Sequence, residues 1–278
     1  MTFRVERAEE SGFCFGVRRA LELARQTAKS HGAAYSLGPL IHNPQEVEQL
    51  ARSGVTVVQS LAEVPAGGTL IIRSHGAPPE VTEQALKSGL TVVDATCPLV
   101  MRAQERAREL AEAGYKVVVA GEADHPEVQG IVAHASGAVV LEERSDLSVV
   151  GTARRIGVVA QTTQSPQAYR ELVSRLLELE PAELRVYNTI CTATLGRQKA
   201  ALELAGRVDV MVVIGGKNSA NTRRLAQLCV AAGVRTYHIE TAAELDDEWF
   251  REARSVGVTA GASTPDWVIR EVVEALGE

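Results

Sequence analysis

Asp94-Ala95-Thr96-Cys97-Pro98-Leu99-Val100 sets a cysteine between the end of an apolar run, Leu90 to Val93, and a proline able to open a helix. Structural cysteines favour the interior of strands and helices, so this loop position marks the thiol for chemistry. Twenty-eight residues on, again at the end of an apolar run, comes Asp124-His125-Pro126-Glu127. The same interval separates Cys14, in Gly12-Phe13-Cys14-Phe15-Gly16, from His42-Asn43. It also separates Cys191 from Ser219, in Gly215-Gly216-Lys217-Asn218-Ser219. The pattern predicts a threefold internal repeat whose three cysteines meet at one centre.

Around each cysteine, short apolar runs alternate with amphipathic segments, which predicts strands and helices in turn and therefore parallel sheets. The expected class is α/β: three similar small domains with mostly parallel sheets, in a pseudo-threefold trefoil around a central cavity. The expected boundaries are 1–96, 97–190 and 191–278, with strand 1–13 able to pair instead with the third unit. Ligands of parallel sheets collect beyond the carboxyl ends of the strands. Each unit should therefore present a cysteine loop, a second loop 28 residues later, and a third loop holding His75, Thr162 or Ser263. At the level of single elements, His125-Pro126-Glu127 reads as a turn, and helices are expected at 197–205 and 223–232. Ser263-Thr264-Pro265-Asp266 reads as a helix N-cap.

The chain has 278 residues, enough for a sizeable core, with 45% hydrophobic and 23% charged residues. No window carries the ~20 apolar residues of a membrane span. Met1-Thr2-Phe3-Arg4-Val5-Glu6-Arg7 lacks the apolar run of a secretory signal, so a cytoplasmic protein with reduced thiols is expected. A net charge of −6 argues against a general nucleic-acid binder but leaves room for a local anion site.

Three converging thiolates suit zinc or an iron–sulfur cluster. A structural zinc site takes four ligands, commonly in C-x-x-C pairs, whereas these cysteines lie 83 and 94 residues apart. A cubane held by three thiolates leaves one iron open, which fits a reductase binding its substrate through oxygen. Cys229, inside Leu225-Ala226-Gln227-Leu228-Cys229-Val230, reads as a core residue.

His42, His75 and His125 occupy matching loops and together suggest a ligand site, whereas His31, His134 and His238 do not. The small donors of 218–222 and 263–266 suit an anion held at helix N-termini. Glu127, if buried beside His125 and Thr162, would have a raised pKa and serve as a proton donor. There is no P-loop and no G-x-G-x-x-G. On the residues alone, a cluster-dependent dehydratase and a non-enzymatic α/β binding protein stay open beside the reductase.

Gly12-Phe13-Cys14-Phe15-Gly16-Val17, the stretch 94–100, His125-Pro126-Glu127-Val128, Gln161-Thr162-Thr163 and Gly257-Val258-Thr259-Ala260-Gly261-Ala262-Ser263 resemble the 4-hydroxy-3-methylbut-2-enyl diphosphate reductase family across almost the whole chain. The resemblance implies a [4Fe-4S] cluster on Cys14, Cys97 and Cys191, and the last step of the methylerythritol phosphate route to isoprenoids. It implies that His42, His75, Ser219, Asn221 and Ser263 hold the diphosphate of a small allylic substrate. His125 would lie beside that substrate, with Glu127 and Thr162 forming the proton route. A ferredoxin- or flavodoxin-type electron donor is implied as partner. Ala220 stands where the family commonly has a second serine, so one hydroxyl donor is missing.

Overall fold

The computed structural model describes residues 3–142 and 144–277; Met1, Thr2, Glu143 and Glu278, which fall at the ends or inside the three expected units, lie outside the described residues. The chain folds into two compact units, one of residues 1–18, 42–46 and 192–278, the other of 19–41 and 47–191.

The first unit is built on four parallel strands, β1 (Arg4–Arg7), β10 (Val210–Ile214), β11 (Arg235–Ile239) and β12 (Ser255–Ala260), in the order β1-β12-β10-β11. Strand β1 pairs with β12, Val5 opposite Val256, which is the alternative pairing that the sequence left open. Val210, Val212 and Ile214 face one side of the sheet, against Val268, Ile269 and Val272 of helix α9 (Asp266–Ala275). Met211 and Val213 face the other, against α7 (Thr192–Ala205) and α8 (Ala220–Ala231). A strand covered on both faces reads as one apolar run, and Val-Met-Val-Val-Ile is such a run.

The second unit holds two further sheets. One contains β2 (Ala34–Leu37), β3 (Val55–Val58), β4 (Thr69–Ile72) and β5 (Thr91–Asp94), in the order β3-β2-β4-β5. The other contains β6 (Lys116–Ala120), β7 (Val139–Leu141), β8 (Arg155–Ala160) and β9 (Glu183–Val186), in the order β7-β6-β8-β9. All their pairings are parallel. Between the strands run α2 (Pro44–Arg52), α3 (Pro79–Lys87), α4 (Pro98–Glu112), α5 (Pro126–Ala133) and α6 (Pro166–Leu177); α1 (Phe15–His31) and α2 both start in the first unit and continue into the second. Five of these begin with proline, whose fixed φ suits the first helical position and whose missing N–H would have no partner there.

The expected α/β class with three similar parallel sheets is therefore what the structure shows. In each sheet the cysteine loop follows one edge strand: β1 leads to Cys14, β5 to Cys97 and β9 to Cys191. The next strand inward leads to the third loop, and the one after that to the second loop. The two inner strands of each sheet thus aim their loops beside the cysteine. Among the described residues no helix is long and apolar enough to cross a membrane.

Three local expectations are corrected. His125-Pro126-Glu127 is not a turn; it opens the eight-residue helix α5, which Gly130 and the β-branched Val128, Ile131 and Val132 obscure in the sequence. Helix α7 starts at Thr192, five residues early: two threonines and a glycine in Thr-Ala-Thr-Leu-Gly mask the helix in the sequence, and Thr194 is buried on its packed face. Helix α8 starts at Ala220 rather than Arg223, so Asn221 and Thr222 sit in its first turn.

Candidate active site

In the second unit, β6 and β8 lie side by side, Ala120 opposite Ala160, so the loops that follow them meet. His125 caps α5, its Nδ1 accepting the Glu127 N–H at 3.2 Å. That acceptor role puts the proton of a neutral imidazole on Nε2. The cap directs Glu127 inward, where it is 2% exposed. Its Oε1 accepts the Thr162 amide at 2.6 Å and its Oε2 the Thr162 hydroxyl at 2.9 Å. Burial pushes the carboxyl pKa up to about 7, while the two bonds from Thr162 pull it down. Desolvation wins, leaving a carboxyl able to give or take a proton near neutral pH. The His75 ring meets that of His125 edge to face, with centroids 5.5 Å apart. Gly76, with φ of +77°, lets the His75 loop close onto the Gln104 amide, a place that a Cβ would fill.

The cysteines share one local design. The amide of Cys14 donates to Ala262 O at 3.1 Å, that of Cys97 to Ser74 O at 3.0 Å and that of Cys191 to Thr162 O at 2.9 Å. Each is thus tied to the neighbouring strand's loop and stands directly before a helix, α1, α4 and α7 respectively. All three are half-buried and none is in a disulfide. The Val17 N–H points at Cys14 Sγ, 3.4 Å away. Sulfurs at the positive ends of helices and within reach of solvent suit metal ligands. Cys229 is fully buried and its thiol is pushed up to about 11 by burial, as a core residue.

In the first unit, Ser219 caps α8 as expected, its Oγ accepting the Thr222 N–H at 3.3 Å. Asn221, 4% exposed, has neither carboxamide atom bonded to the described residues, so donor and acceptor remain for a ligand. The capping expected of Ser263 is corrected: Pro265 is the N-cap of α9, and no side chain bonds there. Ser263 Oγ instead donates to His42 O at 3.1 Å, and Thr264 Oγ1 donates to Ile214 O at 2.9 Å. The Ser219 loop packs so closely that a Cβ on Gly216 would sit 2.5 Å from His42 O. The Ser263 hydroxyl and the Ser219 loop are therefore both brought against the His42 carbonyl.

A profile of the LytB protein family matches residues 5–277. The chain belongs to the LytB family. Among its LytB relatives, the 4-hydroxy-3-methylbut-2-enyl diphosphate reductase of Citrifermentans bemidjiense is 53% identical over 97% of this chain and 95% of the relative. That of Pelobacter propionicus is 50% identical over 99% and 98%. A solved structure of (E)-4-hydroxy-3-methyl-but-2-enyl diphosphate reductase, the terminal enzyme of the non-mevalonate pathway, matches at 46% identity with a TM-score of 0.72, covering 99% of each chain. The structure of the E-1-hydroxy-2-methyl-but-2-enyl-4-diphosphate reductase from Plasmodium falciparum matches at 26% identity with a TM-score of 0.93, over 100% of this chain and 89% of that one.

Within this LytB chain, three histidines set aside in the sequence bond backbone carbonyls: His31 with Thr27, His134 with Gly130 and His238 with Gly215. Two supports of the site were missed. Arg197, 5% exposed, bonds Gly12 O through Nε at 3.2 Å and a terminal nitrogen at 2.7 Å, holding the backbone before Cys14. Glu240 accepts the Lys217 N–H at 2.6 Å, holding the Ser219 loop. Both act between positions far apart in sequence, which no local pattern announces.

Proposed function

We propose that this chain reduces 4-hydroxy-3-methylbut-2-enyl diphosphate to isopentenyl and dimethylallyl diphosphates, the last step of the methylerythritol phosphate route. The observation that carries the reading is the buried Glu127 carboxyl, fixed by Thr162 and poised near neutrality, in a chain half identical to reductases of that substrate.

Cys14, Cys97 and Cys191 would hold a [4Fe-4S] cluster, and their matching loop positions, half-burial and helix-end placement fit that group. When bound, the cluster supplies electrons and an open iron for an alcohol oxygen.

The remaining work falls to side chains. Ser219, Asn221 and Ser263, with His42 and His75, bind the diphosphate through neutral donors, histidine ring nitrogens and the first turn of α8. His125 lies against the substrate and, through its Nδ1, fixes the Glu127 backbone. Glu127 gives the proton with which the allylic hydroxyl departs as water, and Thr162 positions its two oxygens. The carbon–oxygen bond breaks, two electrons enter, and a second proton adds at either end of the allyl group. One end gives each product. The two electrons come from outside, from a ferredoxin- or flavodoxin-type carrier, and the enzyme works in the cytoplasm without nucleic acid or membrane.

Turnover of the diphosphate by protein purified without oxygen, with dithionite, tests this. Both isoprenoid diphosphates should form, with two electrons consumed per molecule. Dehydration without electron uptake, or a colourless inert protein, would overturn it.

A further inference from the structure

Asn43 is 1% exposed, and its Oδ1 accepts the Glu46 N–H at 2.8 Å, capping α2 behind the N–H-less Pro44. With the oxygen committed to the helix, the Nδ2 group is turned away from those amides, and it has no hydrogen-bond partner among the described residues. A buried donor left in that state destabilises the fold unless an ordered water or a ligand takes it up. The peptide carbonyl joining His42 to Asn43 is also the one gripped by Ser263 Oγ at 3.1 Å and abutted by Gly216. Asn43 is therefore pinned, through its own peptide, to the two loops that carry Ser263 and Ser219 within the same unit. At the first turn of α8, Ala220 has no hydroxyl to offer, while Ser219 Oγ accepts the Thr222 N–H and keeps its own proton to donate. Asn221 also keeps its amide donor, and the Asn43 Nδ2 adds another in the same unit.

We propose that Asn43 Nδ2 is a further binding group for the diphosphate, donating to one of its oxygens while Oδ1 keeps capping α2. This rests on the substrate reading above. Asn43→Ser and Asn43→Asp both retain a capping oxygen and remove the amide donor, the second adding a charge that repels the anion. The probe is inorganic pyrophosphate, titrated calorimetrically into protein purified without oxygen, with Ser263→Ala as the reference variant. The expected result is roughly a tenfold weaker Kd for Asn43→Ser and a larger loss for Asn43→Asp. In turnover KM should rise while kcat holds, because the contact is the same before and during reaction. Should Asn43→Asp not fold, Asn43→Ser decides. Affinities within about twofold of the unaltered protein, while Ser263→Ala weakens binding, overturn the role of Asn43 alone. No pyrophosphate binding by the unaltered protein overturns the diphosphate reading and Asn43 with it.

Discussion

Thr162 holds both oxygens of Glu127 at once, its amide on Oε1 at 2.6 Å and its hydroxyl on Oε2 at 2.9 Å. A carboxyl gripped this way cannot rotate, so any proton it gave would leave in a direction set by the β8 loop rather than by the acid's own rotamers. Glu127→Gln keeps the shape and the hydrogen bonding of one oxygen but removes the transferable proton. Turnover should fall by at least about a hundredfold, the lower range for general acid–base catalysis. Iron content should stay unchanged. Normal turnover in this variant would remove Glu127 from the proton route.

Burial holds the Glu127 pKa at about 7, above its ordinary value of 4.5. The folded state then binds this proton more tightly than the unfolded one. Its contribution to stability is complete below the ordinary value and is lost as pH rises to about 7. Relative to Glu127→Gln, the unaltered chain should lose stability across that window, on the order of a few kcal/mol. Urea unfolding of both proteins from acid to neutral pH measures this, and parallel curves would contradict it.

Replacing Thr162 with valine deletes the hydroxyl bond that pulls the Glu127 pKa down and leaves the burial that pushes it up. The pKa should move further upward, and the pH midpoint of turnover with it. Thr162→Ser should restore the original profile. A valine variant that slows turnover with an unmoved midpoint would assign Thr162 to packing alone.

Arg197 donates twice to Gly12 O, and Gly12 occupies a φ of +82° where other residues strain. Arg197→Lys cannot reproduce the planar pair of bonds. The Cys14 loop should loosen, seen as faster loss of iron in air with little change in helix content by circular dichroism. Unchanged iron retention would show that Cys14 needs no such support.

A Cβ on Gly216 would meet His42 O at 2.5 Å, closer than packed atoms approach. Gly216→Ala should push the Ser219 loop off the His42 peptide, weakening pyrophosphate binding about tenfold or more. Pyrophosphate calorimetry reads this directly, and unchanged affinity would place the diphosphate elsewhere.

How much of this was legible in the sequence depends on the range of the interactions involved. Cys97 and His125 announced themselves because a loop residue between an apolar run and a proline has a local signature, and the interval of 28 residues, found again from Cys14 and from Cys191, carried the three sheets. The burial of Glu127 had no such signature, since it comes from the pairing of β6 with β8 and from a bond to a residue 35 positions away. Helix α5 was hidden because its propensity is poor and packing against β6 and β7 offsets the deficit. Ser263-Thr264-Pro265-Asp266 carries the composition of a cap, yet its hydroxyls bond strand and loop carbonyls, a choice that only the tertiary fold makes. Asn43, followed by Pro44 and Glu46, did carry a local cap signal; its idle amide nitrogen did not.

The proposed reaction depends most on Cys14, Cys97 and Cys191 serving one metal group. Counting iron and sulfide per chain, without oxygen, in the unaltered protein and in each of the three cysteine-to-serine variants tests this directly. About four of each per chain are expected in the unaltered protein, with loss at every one of the three positions and none at Cys229→Ser. A protein that keeps its full iron after losing one of the three, or that binds none to begin with, contradicts it.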